Sequence, residues 1–331
     1  MAGIEYKKIY APKKGEIKVE EFEIGEPAPD EVQVEVEYSV ISPGTERAWI
    51  NAATLTGAVF PLEIGYSSAG EVTRVGENVT GFKEGDIVAC ECKHQSMANV
   101  NERRVYKIPE GVNVRDAAFV EIGIIAMQGI RKANIGLGEP VVVFGQGLIG
   151  IMAMMEAKAS GAYPVIAVDR DDVRLGLSQK CGADFVIDTR DKEYKEKLQA
   201  AAGNRGIPVV IESTGYPEPV KESLDIVSDF GRVILLGSTR QTVPLNLYTY
   251  VHRKGVTIVG AHVRTMPEYD SRPGYWTKPE NAQAFLNALK YNKINVEDLI
   301  TQEIEPDGAY EAYREIFDIN PEYVATVINW G

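Results

Sequence analysis

The chain has 331 residues, 44% of them hydrophobic and 25% charged, a globular composition with length enough for two domains. Its formal net charge of −13 repels nucleic acid and anionic membrane surfaces, so neither is expected as a partner. With three cysteines there is no disulfide framework, no run is long enough for a membrane span, and Met1 to Glu20 lacks the apolar core of a secretion signal; a cytoplasmic location is expected.

The first third alternates apolar and polar residues at period two. Ile17–Phe22, Glu31–Val40 and Ala69–Val75 read as strands, broken by Gly25-Glu26-Pro27, Gly76-Glu77-Asn78 and Lys83-Glu84-Gly85-Asp86. This predicts a small antiparallel β-rich domain. Near Asp116 the texture changes: Ala117–Ala133 is apolar at helical spacing, and from Pro140 strands and helices alternate. Strands are expected at Val141–Phe144, Val165–Val168, Phe185–Ile187, Val209–Glu212, Val233–Leu236 and Val256–Val259. Helices are expected at Ile149–Lys158, Asp171–Cys181, Tyr194–Ala202 and Val220–Val227. Such an alternation makes an α/β fold with a doubly wound parallel sheet of the Rossmann type. A loop, Arg264–Pro279, is followed by helices at Glu280–Tyr291 and Gly308–Phe317. The last strand, Val324–Trp330, is expected to rejoin the N-terminal β domain. The expected divisions are 1–118, 119–260 and a return over 261–331.

Between the first of these strands and its helix stand Gly145, Gly147 and Gly150, at G-x-G-x-x-G spacing. Such a turn lets the backbone approach a pyrophosphate and aims the N–H groups opening the helix, at Leu148, Ile149 and Gly150, at its charge. Asp169 follows Gly150 by about 20 residues, where an acid accepts the ribose 2′-hydroxyl. Its charge would repel a 2′-phosphate, so NAD is expected over NADP, a preference softened by the adjacent Arg170. Ser213-Thr214-Gly215, after the fourth strand, would line the same crevice. Elsewhere, Cys90, Cys92 and His94 alternate and on a strand would share one face. They read either as metal ligands or as small core residues; no second cluster completes a metal site.

The order of a β-rich domain, a nucleotide domain and a return resembles the medium-chain dehydrogenase/reductase family. Ala69-Gly70-Glu71-Val72 with Val75-Gly76, Phe82 to Val88, Val141 to Gly150, and Lys254-Gly255 to Gly260 carry the resemblance over nearly the whole chain. It implies a GroES-like β-rich catalytic domain beside the Rossmann domain. It also implies that Leu236, Gly237 and Ser238, with Ala261 and His262, meet the nicotinamide carboxamide through backbone groups. Ile41 to Arg47 resembles the Ser-Pro-Gly-Thr-Glu-Arg motif of a zinc-less branch labelled threonine-dehydrogenase-like or bacteriochlorophyllide-dehydrogenase-like. Where zinc members carry Cys-Gly-Thr-Asp, this chain reads Pro43-Gly44-Thr45-Glu46. Where they carry Gly-His-Glu, it reads Gly65-Tyr66-Ser67. A single further carboxylate, Glu121, does not hold zinc, so no metal is expected.

Without zinc, acid–base help in hydride transfer must come from a hydroxyl or phenol. Thr45 stands where the family places its proton relay, and Tyr66 replaces a metal-binding histidine. Tyr66, its pKa lowered by a nearby nicotinamide cation, is the expected base with Thr45, assisted by Glu46 or Glu121. Space filling by Tyr66 is the alternative. Trp49, His94 and, in the long loop, Arg264, Tyr275 and Trp276 are candidate substrate contacts; aromatics and arginines suit a sugar-like, polyol or hydroxy-acid substrate. The same loop composition also suits a subunit interface, and a homodimer or homotetramer is expected. The expected function is zinc-independent, NAD-dependent oxidation of a secondary alcohol on a small molecule. The alternatives are an NADPH-dependent quinone or enone reductase and a nucleotide-binding protein without chemistry.

Overall fold

In the computed structural model, which describes residues 4–272 and 274–331, the chain forms two units. One runs up to Ile122 and resumes at Pro279; the other is Gly123–Lys278.

The first unit is built from β1 (Ile4–Ala11), β2 (Lys18–Ile24), β3 (Glu31–Ile41), α1 (Pro43–Ile50), β4 (Leu62–Glu63), β5 (Ser68–Val75), β6 (Ile87–Cys90), β7 (Met97–Asn101) and β8 (Val105–Lys107), then α2 (Val114–Ala117) and the start of α3 (Val120–Ala133). β1 pairs antiparallel with β2 and β4. The period-two pattern buries Val32, Val34, Val36, Val72 and Val88 in one cluster with Cys90 and Cys92, because alternate residues of a strand share a face. β3 is the hub and pairs antiparallel with β5 and β7. The short apolar run at Ile4–Ala11 is a strand that alternation over mixed charges does not announce. α1 is likewise unannounced: Pro43 opens it, its φ already suited to a first helical turn.

The second unit continues α3 and adds β9 (Val141–Phe144), α4 (Leu148–Ala159), β10 (Val165–Asp169), α5 (Asp172–Lys180), β11 (Phe185–Asp188), α6 (Tyr194–Ala202), β12 (Val209–Glu212), α7 (Pro217–Ile226), β13 (Arg232–Leu235) and β14 (Thr257–Gly260). Every strand expected there forms, within a residue or so at each end. The sheet is wholly parallel in the order β11-β10-β9-β12-β13-β14. The order reverses between β9 and β12, which opens a crevice at their carboxyl ends. Val142, Phe144, Ile166, Val168, Val210 and Val233 share its core. The segment after β14 stays with this unit: Gln128 and Lys132 of α3 both bond the Thr265 hydroxyl at 3.0 Å, and Lys132 also bonds the Gly260 carbonyl.

The chain returns to the first unit through α8 (Lys278–Lys290), β15 (Gln302–Ile304), α9 (Ala309–Phe317) and β16 (Thr326–Asn329). The final strand joins the β-rich sheet as expected, antiparallel to β3 and parallel to β15. Tyr313 and Ile316 of α9 pack with Ile9, Ile41 and Ile50. No helix among the described residues is long and apolar enough to cross a membrane.

Candidate active site

The glycine turn after β9 has the shape its spacing predicts. Gly145 has φ +86°, and its N–H bonds Val168 at 2.9 Å. A Cβ on Gly150 would overlap the Gly145 carbonyl oxygen, whereas one on Gly147 would meet nothing within 4 Å. The turn is thus closed behind, where helix meets strand, and open in front of the α4 N-terminus, capped by Gly147. Leu148, Ile149 and Gly150 form the first turn of that helix, so their N–H groups have no partner within it. Asp169 ends β10. Its carboxylate accepts the N–H of Gln146 at 2.6 Å and that of Arg170 at 2.7 Å. With the Asp171 N–H also accepted at 3.2 Å, it is fixed at the lip of the turn and keeps acceptor capacity for a ribose hydroxyl. Arg170 itself is exposed. These residues fit a dinucleotide.

The crevice walls are more occupied than the sequence suggests. The Ser213 hydroxyl bonds the carbonyls of Phe144 and Gly145 at 2.7 and 2.8 Å. Thr214 donates its N–H, at 2.7 Å, and its hydroxyl to Glu212. Both therefore brace the turn. Glu212 is fully buried, which raises its pKa. Leu236 packs against Gly129, and Gly237 abuts Gly215 so closely that a Cβ would clash with its nitrogen. Ser238 follows at the same strand end, and the Ala261 N–H bonds Leu235 at 3.0 Å. His262 is exposed, and its Nδ1 accepts the Arg264 N–H at 3.1 Å. Its ring caps the turn that follows β14.

In the first unit, Thr45 and Glu46 lie on adjacent positions of α1 with opposite fates. Thr45 is partly exposed; Glu46 is fully buried. The Glu46 carboxylate accepts the Ser42 N–H at 2.8 Å, the Tyr313 hydroxyl, and His94 Nε2 at 3.1 Å. His94 Nδ1 lies 2.9 Å from Ser39 Oγ, which accepts the Trp330 indole N–H at 2.9 Å. The indole donates to Ser39, and the Glu46 carboxylate, an acceptor, takes a hydrogen from His94 Nε2.

Tyr66 has a partly exposed residue surface, but its phenolic oxygen is buried and has no hydrogen-bond partner among the described residues. Burial raises its pKa, the Ser42 and Thr45 hydroxyls offset part of that rise, and the Glu46 charge adds to it. In the protein alone the phenol is therefore held protonated, opposite to the lowering expected beside a nicotinamide cation. Trp49 meets the Tyr66 ring edge-on at 5.9 Å. Glu121 is buried at the start of α3, where its N–H bonds Ser67 Oγ at 3.0 Å and its carboxylate accepts the Tyr106 hydroxyl at 3.3 Å. Of the four residues expected at the chemistry, Thr45 and Tyr66 come together. Glu46 and Glu121 have carboxylates engaged by internal donors.

Two expectations need correction. Cys90, Cys92 and His94 do not share a strand face: β6 ends at Cys90, and the chain leaves the sheet so that the His94 N–H bonds Ile64 and its carbonyl accepts Ile9, both at 2.9 Å. The cysteines enter the core. His94, expected beside substrate, is fully buried, its ring pressed so close to Gly65 that a Cβ there would clash. Among the described residues no three His, Cys, Asp or Glu side chains are grouped to hold a metal ion. Pro43 has no donor, and Ser67 Oγ is committed to Ala118 at 2.6 Å and to Glu121. The residues present do not fit a catalytic zinc.

In the second unit the long loop lies over the end of α3. The Arg131 guanidinium stacks 3.8 Å from the Trp276 ring, and Lys132 and Arg272 lie 5.8 and 4.8 Å from the Tyr275 ring. Trp276 and Tyr275 each remain 41% exposed, and Arg264 is exposed. Sequence reasoning missed Gln146, Ser39, Tyr313 and Trp330. Gln146 is an unspecified position of the glycine motif, yet it is fully buried and bonds Val143 and Ser178. Tyr313 and Trp330 lie far along the chain from Glu46, Ser39 lies 55 residues from the His94 it bonds, and nothing in their local spacing marks them.

Residues 28–112 match the family model for the alcohol dehydrogenase GroES-like domain, and residues 149–274 match the model for zinc-binding dehydrogenase. The chain belongs to the medium-chain dehydrogenase/reductase superfamily, the alcohol dehydrogenase-like oxidoreductases. It is 27% identical to a sorbitol dehydrogenase of Halalkalibacterium halodurans over 77% of this chain and 80% of that one. It is 26% identical to the L-threonine 3-dehydrogenase of Pyrococcus furiosus over 90% of each. The fold matches the crystal structure of Escherichia coli galactitol-1-phosphate dehydrogenase with a TM-score of 0.85 at 21% identity, covering 98% of this chain and 100% of the other.

Proposed function

We propose that this protein is a zinc-independent, NAD-dependent oxidoreductase of the zinc-less Ser-Pro-Gly-Thr-Glu-Arg branch. It would act in the cytoplasm on a secondary alcohol of a polyol, sugar-like or hydroxy-acid substrate. The observation that carries this reading is the Tyr66 phenol, a buried donor with no partner, beside Thr45. An unpaired buried hydroxyl costs free energy that a substrate oxygen would recover. Related sorbitol and threonine dehydrogenases supply the alcohol class, and Asp169 supports NAD over NADP. Zinc independence is supported by the donor set, in which proline, tyrosine and serine stand at the matching positions.

When bound, the nicotinamide takes the hydride. Tyr66, kept protonated by burial, donates a hydrogen bond to the substrate oxygen and stabilises the alkoxide. Thr45, partly exposed, relays the alcohol's proton to water. Glu46 touches neither; through the Ser42 N–H it holds the first turn of α1, and so Thr45, in place. In the second unit, Asp169 and the N–H groups opening α4 orient the dinucleotide. The open edge of β14, on which Ile258 is 37% exposed, would pair two chains into a homodimer, or dimers into a homotetramer. A monomer mass in sedimentation would refute that assembly.

The test is NADH absorbance with a panel of sugars, polyols and hydroxy acids, repeated with NADP. Tyr66→Phe should lower kcat on any hit by about 10²-fold or more, and Thr45→Ala should do likewise. Wild-type turnover in both variants refutes the assignment. Turnover of enones with NADPH but of no alcohol would favour a reductase instead.

A further inference from the structure

Lys93 is half-buried in the first unit and makes no ion pair among the described residues. Its ammonium lies 5.9 Å from the Trp49 ring centroid, and Trp49 is the residue whose ring meets Tyr66 edge-on. Lys93 and Tyr66 also line one cavity of about 370 Å³, within the size range of small-ligand sites. The other charged residues lining it are largely matched: Lys8 bonds Glu63 at 2.7 Å, and Arg104 lies 3.8 Å from Glu91. Lys93 is thus the surplus charge, a locally positive group in a chain whose total is −13.

A lysine stem lying along an aromatic ring keeps its ammonium from spreading freely into water. The charge then stands beside a concave, partly desolvated surface, where an anion gains more than in bulk solvent. An ammonium is a point charge with three donors and accepts carboxylate and phosphate alike. We propose that Lys93 binds an anionic substituent of the substrate, so that the substrate class is a polyol or sugar bearing a carboxylate or phosphate. This rests on the reading of Tyr66 and Thr45 as the reacting end.

Calorimetric titration of the protein with NADH present compares gluconate, sorbitol 6-phosphate and sorbitol. These differ in their end group, and the preferred anion separates the carboxylate source from the phosphate source. At least one anion should bind the wild type about tenfold or more tightly than sorbitol. Lys93→Gln should abolish that preference, and Lys93→Arg should keep most of it. Tyr66→Phe should keep the preference for the anion over sorbitol within twofold while removing turnover. Equal or absent binding of all three compounds to the wild type overturns the proposal, and so does an anion preference that survives Lys93→Gln. If Tyr66→Phe turns over normally while Lys93→Gln loses the preference, the catalytic reading falls and the anion site stands.

Discussion

The Tyr313 hydroxyl donates to the Glu46 carboxylate, joining α9 to α1 across 267 residues of sequence. Both side chains are fully buried. The bond ties the returning C-terminal segment to the helix that carries Thr45, and it helps to balance a carboxylate that would otherwise be costly to bury.

Tyr313→Phe keeps the ring and removes the donor. Hydrogen bonds to charged groups contribute about 1.5–3 kcal/mol, so urea unfolding followed in the first unit should show a loss of that order. NADH affinity, which depends on the second unit, should stay within twofold. An unchanged urea midpoint would mean that Glu46 is satisfied without Tyr313.

Glu156 sits on α4 with both carboxylate oxygens buried and without a hydrogen-bond partner among the described residues. Burial raises its pKa well above 4.5, and the Arg131 charge only partly offsets this. With the folded value above the unfolded one, the stability of the protonated form is fully present below about pH 4.5. It is then lost progressively as pH climbs through the folded value. Glu156→Gln should therefore match the wild type near the acid end and exceed it at pH 7–9. Between those limits the two should diverge by up to about 1.4 kcal/mol per pH unit. Parallel melting curves across pH 5–9 would show that Glu156 does not carry this penalty.

Under the proposed function, Asp169 and Gly150 would act on dinucleotide binding in separable ways. Asp169→Asn keeps the shape but removes the charge proposed to meet the ribose and repel a 2′-phosphate. NADH fluorescence titration should show about tenfold weaker NADH binding and a smaller preference over NADPH. Gly150→Ala places a methyl against the Gly145 carbonyl, so it should abolish both. Tight NADH binding by Gly150→Ala would mean that the turn can shift to admit a side chain.

Much of the architecture was legible along the chain because its causes are local. Four-residue apolar strands with helical segments between them, and three glycines in register, specify β9 through β14 and the turn after Phe144. Period-two alternation similarly marks β3 and β5. What local pattern leaves out is any group whose partner lies far away. Glu46 reads as a motif residue beside a relay threonine. Only the packing of β3, α9 and the strand end at Trp330 buries it among Ser42, His94 and Tyr313. His94 reads as a member of a Cys-x-Cys-x-His face until the chain leaves β6 and turns its ring toward Ser39. The same burial sets the sign of the Tyr66 pKa shift, since desolvation depends on what surrounds the oxygen.

The sequence by itself determined the parallel sheet of the second unit, its glycine turn and the acid that follows it, because these are matters of residue type and spacing. The tertiary structure alone decided which polar groups are spent on one another and which, like the Tyr66 phenol and the Lys93 ammonium, are left without a matched partner among the described residues. Burial and distance fix that division, and neither is a property of neighbouring residues in the chain.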